Sequence, residues 1–191
     1  MYAFLLSFGV IFVAELGDKS QLMAMTLASR YKPWPILAGI TVATAGVHAV
    51  SVLIGAVAGK SLPTNWITLI AGIAFLLFAA WTLRGDELTE EDEAAAARAR
   101  RSAFVTALIV FFLAELGDKT MLATITLATR EGWFGTWLGS TVGMVVADAM
   151  AIGIGALLGR TLPERVVRIG ASVLFLIFGA LLIVEALREL T

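Results

Sequence analysis

The sequence predicts an all-α integral membrane protein with six transmembrane helices arranged as two inverted three-helix repeats. Three observations predict it. Of 191 residues, 59% are hydrophobic and 15% charged, against roughly 45–50% and about 25% in soluble domains, and the mean hydropathy is +0.91. The apolar residues fall in runs of about 20 or more, the length that crosses roughly 30 Å of hydrocarbon. The chain also aligns on itself without a gap when shifted by 100 residues. Together these exclude a soluble enzyme and a disordered chain. The lack of cysteine removes thiolate metal sites, iron–sulfur clusters and disulfide scaffolds. A net charge of −1 gives no reason to expect a nucleic-acid partner.

The expected spans are 2–29, 35–59, 65–84, 102–129, 134–159 and 165–187. They are separated by polar or proline-bearing breaks at Arg30–Pro33, Lys60–Pro63, Arg130–Gly132 and Arg160–Pro163. Helices are expected because the runs are too long and too uniformly apolar for barrel strands. The start, Met1-Tyr2-Ala3-Phe4, has no basic segment and reads as the beginning of a retained span rather than a signal peptide. Residues 85–101, GDELTEEDEAAAARARR, place acids before arginines around an alanine run. That order suits a short aqueous helix. The chain therefore divides into repeat 1 (1–84), a polar linker (85–101) and repeat 2 (102–191).

Between residues 3–83 and 103–183, about 30 of 81 positions are identical, including Ala14–Lys19 with Ala114–Lys119 and Ile54–Ala56 with Ile154–Ala156. Each repeat has three spans, an odd number, so the second repeat enters the membrane from the opposite side. Nine lysines and arginines flank the loops after spans one, three and five, against three on the other side. By the positive-inside rule the linker is cytoplasmic and both termini lie outside.

Six charges lie deep within apolar runs as two identical sets: Glu15, Asp18 and Lys19, and Glu115, Asp118 and Lys119. At roughly 2.5–3.5 kcal/mol per mid-helix charge, six cost on the order of 15–20 kcal/mol, which calls for a compensating role. Acids three apart share one face of a helix. Inverted symmetry brings the two midplane motifs face to face, so one central site with four carboxylates is expected. An all-oxygen site suits hard divalent cations such as Mn²⁺, Ca²⁺ and Mg²⁺. Ser20, Gln21 and Thr120 could add neutral oxygens. Gly17 and Gly117 would let the helix loosen. When the cation leaves, crowded carboxylates take up protons, which is a route to cation/proton antiport. The bland alternative is that Glu15–Lys19 and Glu115–Lys119 are mutually neutralising i,i+4 pairs.

Two copies of E-x-G-D-K-(S/T), at Glu15–Ser20 and Glu115–Thr120, on spans one and four of a six-span chain, resemble the Gdt family of cation/proton exchangers. That family includes Golgi and chloroplast members and bacterial manganese exporters, within a lysine-exporter-like superfamily. The resemblance covers nearly the whole chain. It implies Mn²⁺ and/or Ca²⁺ transport against protons, with Glu15, Asp18, Glu115 and Asp118 as the cation site, no catalysis and no cofactor. It also implies a bacterial plasma-membrane location. A Ca²⁺/H⁺ antiporter and a small-solute exporter are the alternatives; an intramembrane protease or a channel fits the duplicated motif less well.

Asp148 lies mid-span in the fifth helix and its repeat mate is His48. Either could relay protons or supplement the ligands; the plainer role is a polar group bonded within the bundle. Met23, Met25 and Met121 near the motifs are expected to pack as apolar side chains.

Overall fold

A computed structural model describes residues 1–28, 31–61, 63–84, 102–158 and 164–190. The predicted linker helix at 85–101 lies outside the described residues. Among the described residues the regular structure is all helical: α1 (Tyr2–Glu15), α2 (Lys19–Ala28), α3 (Pro33–Ser61), α4 (Thr64–Arg84), α5 (Ala103–Glu115), α6 (Lys119–Glu131), α7 (Trp133–Leu158) and α8 (Glu164–Leu190).

Local chemistry sets several ends. Pro33, whose fixed φ suits a first turn, opens α3. The Ser102 hydroxyl accepts from the Val105 N–H at 3.3 Å and caps α5. Gly132, at φ +90°, ends α6. Four segments are long and apolar enough to cross a bilayer: Pro33–Ser61, Asn65–Arg84, Trp133–Ile154 and Ile169–Arg188. Their outward faces carry exposed residues such as Leu53, Val57, Leu77 and Leu181, as a lipid-facing surface requires. The protein is a multi-pass membrane protein.

The first and fourth runs differ from expectation. Neither is one continuous helix. Each breaks at Leu-Gly-Asp, where Gly17 has φ +74° and Gly117 φ +81°. Left-handed backbone is unstrained only for glycine, so the glycine of each motif turns the chain. The halves α1 (14 residues) and α5 (13 residues) are each shorter than a bilayer crossing.

The two sequence repeats pack reciprocally. Gly139 of α7 lies against the Phe4 backbone of α1, and Gly39 of α3 lies against Phe104 and Ala107 of α5. Gly72 of α4 meets Gly179 of α8, and the Ser172 hydroxyl of α8 donates to the Ala79 carbonyl of α4 at 2.6 Å. Position 72 thus pairs with 179, and its mate 172 pairs with 79. The Thr44 hydroxyl meets its own repeat mate, Met144, at 3.4 Å. Along α3 the contacts with α5 and α6 ascend together, from Gly39–Phe104 to Gly59–Thr129. Between α4 and α8 they run in opposite senses, from Gly72–Ile183 through Phe75–Phe175 to Ala79–Ser172. Two apolar clusters flank the centre: one holds Ile11, Phe75, Leu127 and Met144, the other Met23, Ile40, Ala107 and Phe111.

The small residues at the helix crossings should resist enlargement. A Cβ at Gly39 would lie 2.5 Å from the Phe104 carbonyl oxygen, whereas one at Gly153 meets nothing within 4 Å. Gly39→Ala should therefore destabilise by about 1–3 kcal/mol, while Gly153→Ala should be neutral or slightly stabilising. Thermal unfolding of the purified variants in one detergent checks the difference.

Candidate cation site

The motif acids sit at the two helix breaks. Glu15 is the last residue of α1 and Glu115 the last of α5. Asp18 and Asp118 immediately precede α2 and α6. Backbone bonds from Asp18 N–H to the Glu15 carbonyl (3.1 Å) and from Asp118 N–H to the Glu115 carbonyl (3.3 Å) close each turn. The acids of one motif are therefore joined by a tight turn, not by the continuous helical face the i,i+3 spacing suggests. The break also brings the C-terminal end of one half-helix and the N-terminal end of the next to the same place. The first favours cations and the second favours carboxylates.

All four motif acids are buried, at 0% (Glu15), 2% (Asp18), 1% (Glu115) and 5% (Asp118) exposure. Asp148, on α7, is also fully buried. Glu15 lies within electrostatic reach of Glu115, Asp18, Asp148 and Lys119. Glu115 feels Asp118, Asp18 and Asp148. Carboxylates from both repeats thus share one interior region. Among the described residues, however, no three acidic or histidine side chains are drawn closely enough together to hold a single ion.

Lys119 settles how part of this charge is held. Its ammonium donates to Asp18 of the other repeat. Residues 116–118 are not helical, so the regular helical register assumed between Lys119 and Glu115 is interrupted. Glu115 accepts from the Thr120 hydroxyl at 2.8 Å. The first repeat departs from this pattern. Lys19 is only half-buried, and the Ser20 hydroxyl and both Glu15 oxygens are buried without a hydrogen-bond partner among the described residues. Glu115 Oε1 and both Asp148 oxygens are likewise without one.

The supporting residues differ between repeats as well. The Gly17 N–H donates to Gln21 Oε1 at 2.8 Å, and Gln21 Nε2 donates to the Ala147 carbonyl at 3.0 Å. Gln21 thus pins the first break to α7, next to Asp148. In the second repeat Met121 stands in its place, and the Gly117 N–H meets Met121 Sδ at 3.2 Å. Beyond the apolar packing that the sequence suggests for Met121, its sulfur accepts from the backbone. The buried His48 lies apart from the acids, with its Nδ1 at 3.5 Å from the Thr141 hydroxyl. Sequence reasoning missed Thr141 as its partner and missed Thr44 at the centre of the molecule. Isolated hydroxyls in apolar runs were the available signal.

Comparison with known proteins agrees with the duplicated motif. The profile of the family described as "Divalent cation/proton antiporter GDT1" matches twice, over residues 3–90 and 103–190. A proposed manganese exporter of Vibrio cholerae is 36% identical over 177 residues, covering 91% of this chain and 86% of the relative. A chloroplastic GDT1-like protein of Oryza sativa is 32% identical over 92% of this chain, which spans only 59% of that relative's length. A GDT1-like protein of Synechocystis is 29% identical, with 89% and 91% covered. No solved structure matches.

The two breaks should differ in their tolerance of side-chain loss. Gln21→Ala strands the Gly17 N–H and removes the link to the Ala147 carbonyl, which keeps its helical bond, and should cost about 1–3 kcal/mol. Met121→Ala removes one weak sulfur acceptor and should cost less through that bond. Thermal unfolding of the paired variants, corrected by Met25→Ala for the loss of a half-buried methionine, measures the gap.

Proposed function

The chain belongs to the GDT1 family of divalent cation/proton antiporters, and from that premise we propose that it exports Mn²⁺ in exchange for protons through the acids at its two helix breaks. The observation that carries this reading is the burial of Glu15, Glu115 and Asp148, with five of their six carboxylate oxygens lacking a hydrogen-bond donor among the described residues. Acids in this setting need compensation either by a cation or by protons. Those two loads exclude one another, and their alternation is antiport. The cation ligands are Glu15, Asp18, Glu115 and Asp118, with oxygens from Ser20, Thr120 or the break carbonyls completing the set. Asp18 must exchange the Lys119 ammonium for the ion, and the acids must close in on it. Asp148 is a further proton carrier or ligand of the same region; His48 is a more distant relay candidate.

The assignment of Mn²⁺ draws on the Vibrio relative's description. Ca²⁺ uses the same oxygen chemistry and is the alternative main substrate. A small-solute exporter is disfavoured because the acids offer no matching cationic group count for a zwitterion. The ion is cargo, and the reading needs no cofactor.

The same proposal takes α1 with α2 and α5 with α6 as two broken spans, making six crossings in two inverted repeats. The opposed contact order of α4 and α8 supports it. Repeat 1 (1–84) and repeat 2 (102–191) then rock about the buried acids. The protein sits in a bacterial plasma membrane with the 85–101 linker in the cytoplasm and both termini outside, as the lysine and arginine bias favours.

Reconstitution tests this. Proteoliposomes should take up Mn²⁺ and release protons in step. Glu15→Gln and Asp118→Asn should each slow both fluxes by more than about tenfold, equivalent to ~1.4 kcal/mol. Cation flux without proton movement would indicate a channel, and unchanged transport in both variants would refute the site.

A further inference from the structure

Two adjoining cavities lie along α1 and α8. One, of about 380 Å³, is bounded by Tyr2, Arg130, Glu131 and Glu185. The other, of about 330 Å³, runs between α1 and α8 along Leu5, Gly9 and Val13 on one side and Leu174, Ile177 and Phe178 on the other. Leu6 and Phe178 line both, so the two are continuous. We propose that this cleft is a phospholipid site, with an acyl chain in the α1–α8 groove and a headgroup bearing a phosphate and a primary ammonium at Arg130, Glu131 and Glu185.

Depth supports the assignment. From Tyr2 to Val13 the groove follows eleven helical steps, about 16 Å, close to half of a hydrocarbon core of roughly 30 Å. Its polar end adjoins Trp133 and Phe134, which are 57% and 56% exposed. Exposed aromatic rings favour the headgroup level. The wall is also shaped for a chain. A Cβ at Gly9 would meet nothing within 4 Å, so the missing side chain leaves open space midway down the groove. The repeat mate of Gly9 is Ile109, so the second repeat has a side chain where the first has a gap.

Charge selects the headgroup. Arg130 Nη2 lies 3.0 Å from Glu185 Oε1, with the arginine side chain 18% exposed and the glutamate 48%. A guanidinium has five N–H donors, so one bond to Glu185 leaves others to meet a phosphate. Glu131 and Glu185 outnumber Arg130, and a purely anionic headgroup would meet excess negative charge. A phosphate paired with an ammonium of three N–H donors matches one guanidinium and two carboxylates.

The test is native mass spectrometry of the full chain in mild detergent, with phosphatidylethanolamine or phosphatidylglycerol of identical acyl chains added. One phosphatidylethanolamine should be retained in preference to phosphatidylglycerol by about three- to tenfold, the range for charge-assisted contacts at a partly exposed site. Gly9→Leu should abolish retention while Gly153→Leu, also in open space, leaves it intact; unfolding temperatures confirm that both variants fold. Glu131→Gln with Glu185→Gln, which removes both carboxylates that would meet the ammonium, should keep lipid binding but lose the preference for phosphatidylethanolamine. Equal retention of the two lipids, retention undiminished in Gly9→Leu, or a second copy of the chain closing the groove would each overturn the proposal.

Discussion

A helix interrupted inside an apolar bundle must find partners for the backbone groups it releases, since no bulk water is there to supply them. The arrangement around the acids follows from that constraint. The breaks at Gly17 and Gly117 turn within three residues, and each turn closes on itself through the Asp N–H and the Glu carbonyl. The glycine N–H that remains is taken by the side chain four residues on, Gln21 or Met121. Because the turns are satisfied locally, the carboxylates are not needed as backbone caps. Asp118 precedes α6 yet makes no capping bond, and the Glu15 oxygens stay unpartnered among the described residues.

Leu116 and Gly117 of the second break stay exposed, while the helices α3 and α7 cover the half-helices on either side of the breaks. Each lies close against the half-helices of the other repeat, and the glycines at those contacts allow the approach. At Gly39 and Gly139 a methyl group would collide with backbone, not with a movable side chain. The crossing of α4 with α8 uses the same device, with Gly72 against Gly179 beneath the Phe75, Phe78, Phe175 and Phe178 rings.

Repetition of the fold does not make the two halves chemically equal. Lys119 is buried and bonded to Asp18, while Lys19 is half-buried. Thr120 serves Glu115, whereas Ser20, one methyl smaller, leaves Glu15 unserved. Gln21 ties its break to α7, whereas Met121 bonds within its own turn. Single substitutions between repeat mates thus give an otherwise symmetric centre two unlike sides, which a carrier exposing one site to two compartments can use.

The sequence by itself determined the membrane class, the duplication and the identity of the acids. Composition, run length and repeated identity are properties of the chain that no packing can alter. The burial cost of Glu15, Asp18, Glu115 and Asp118 also follows from their apolar neighbours alone. Tertiary structure decided how those acids are presented. The i,i+3 and i,i+4 spacings assume an unbroken helix, and a glycine is compatible with both a right-handed and a left-handed backbone. Only the packed bundle selected the left-handed choice at Gly17 and Gly117, which interrupted the helical register between Glu115 and Lys119 and set Lys119 against Asp18. Partner choice between residues about 100 apart depends on which helices touch, and that is written in the sum of many small contacts rather than in any one spacing.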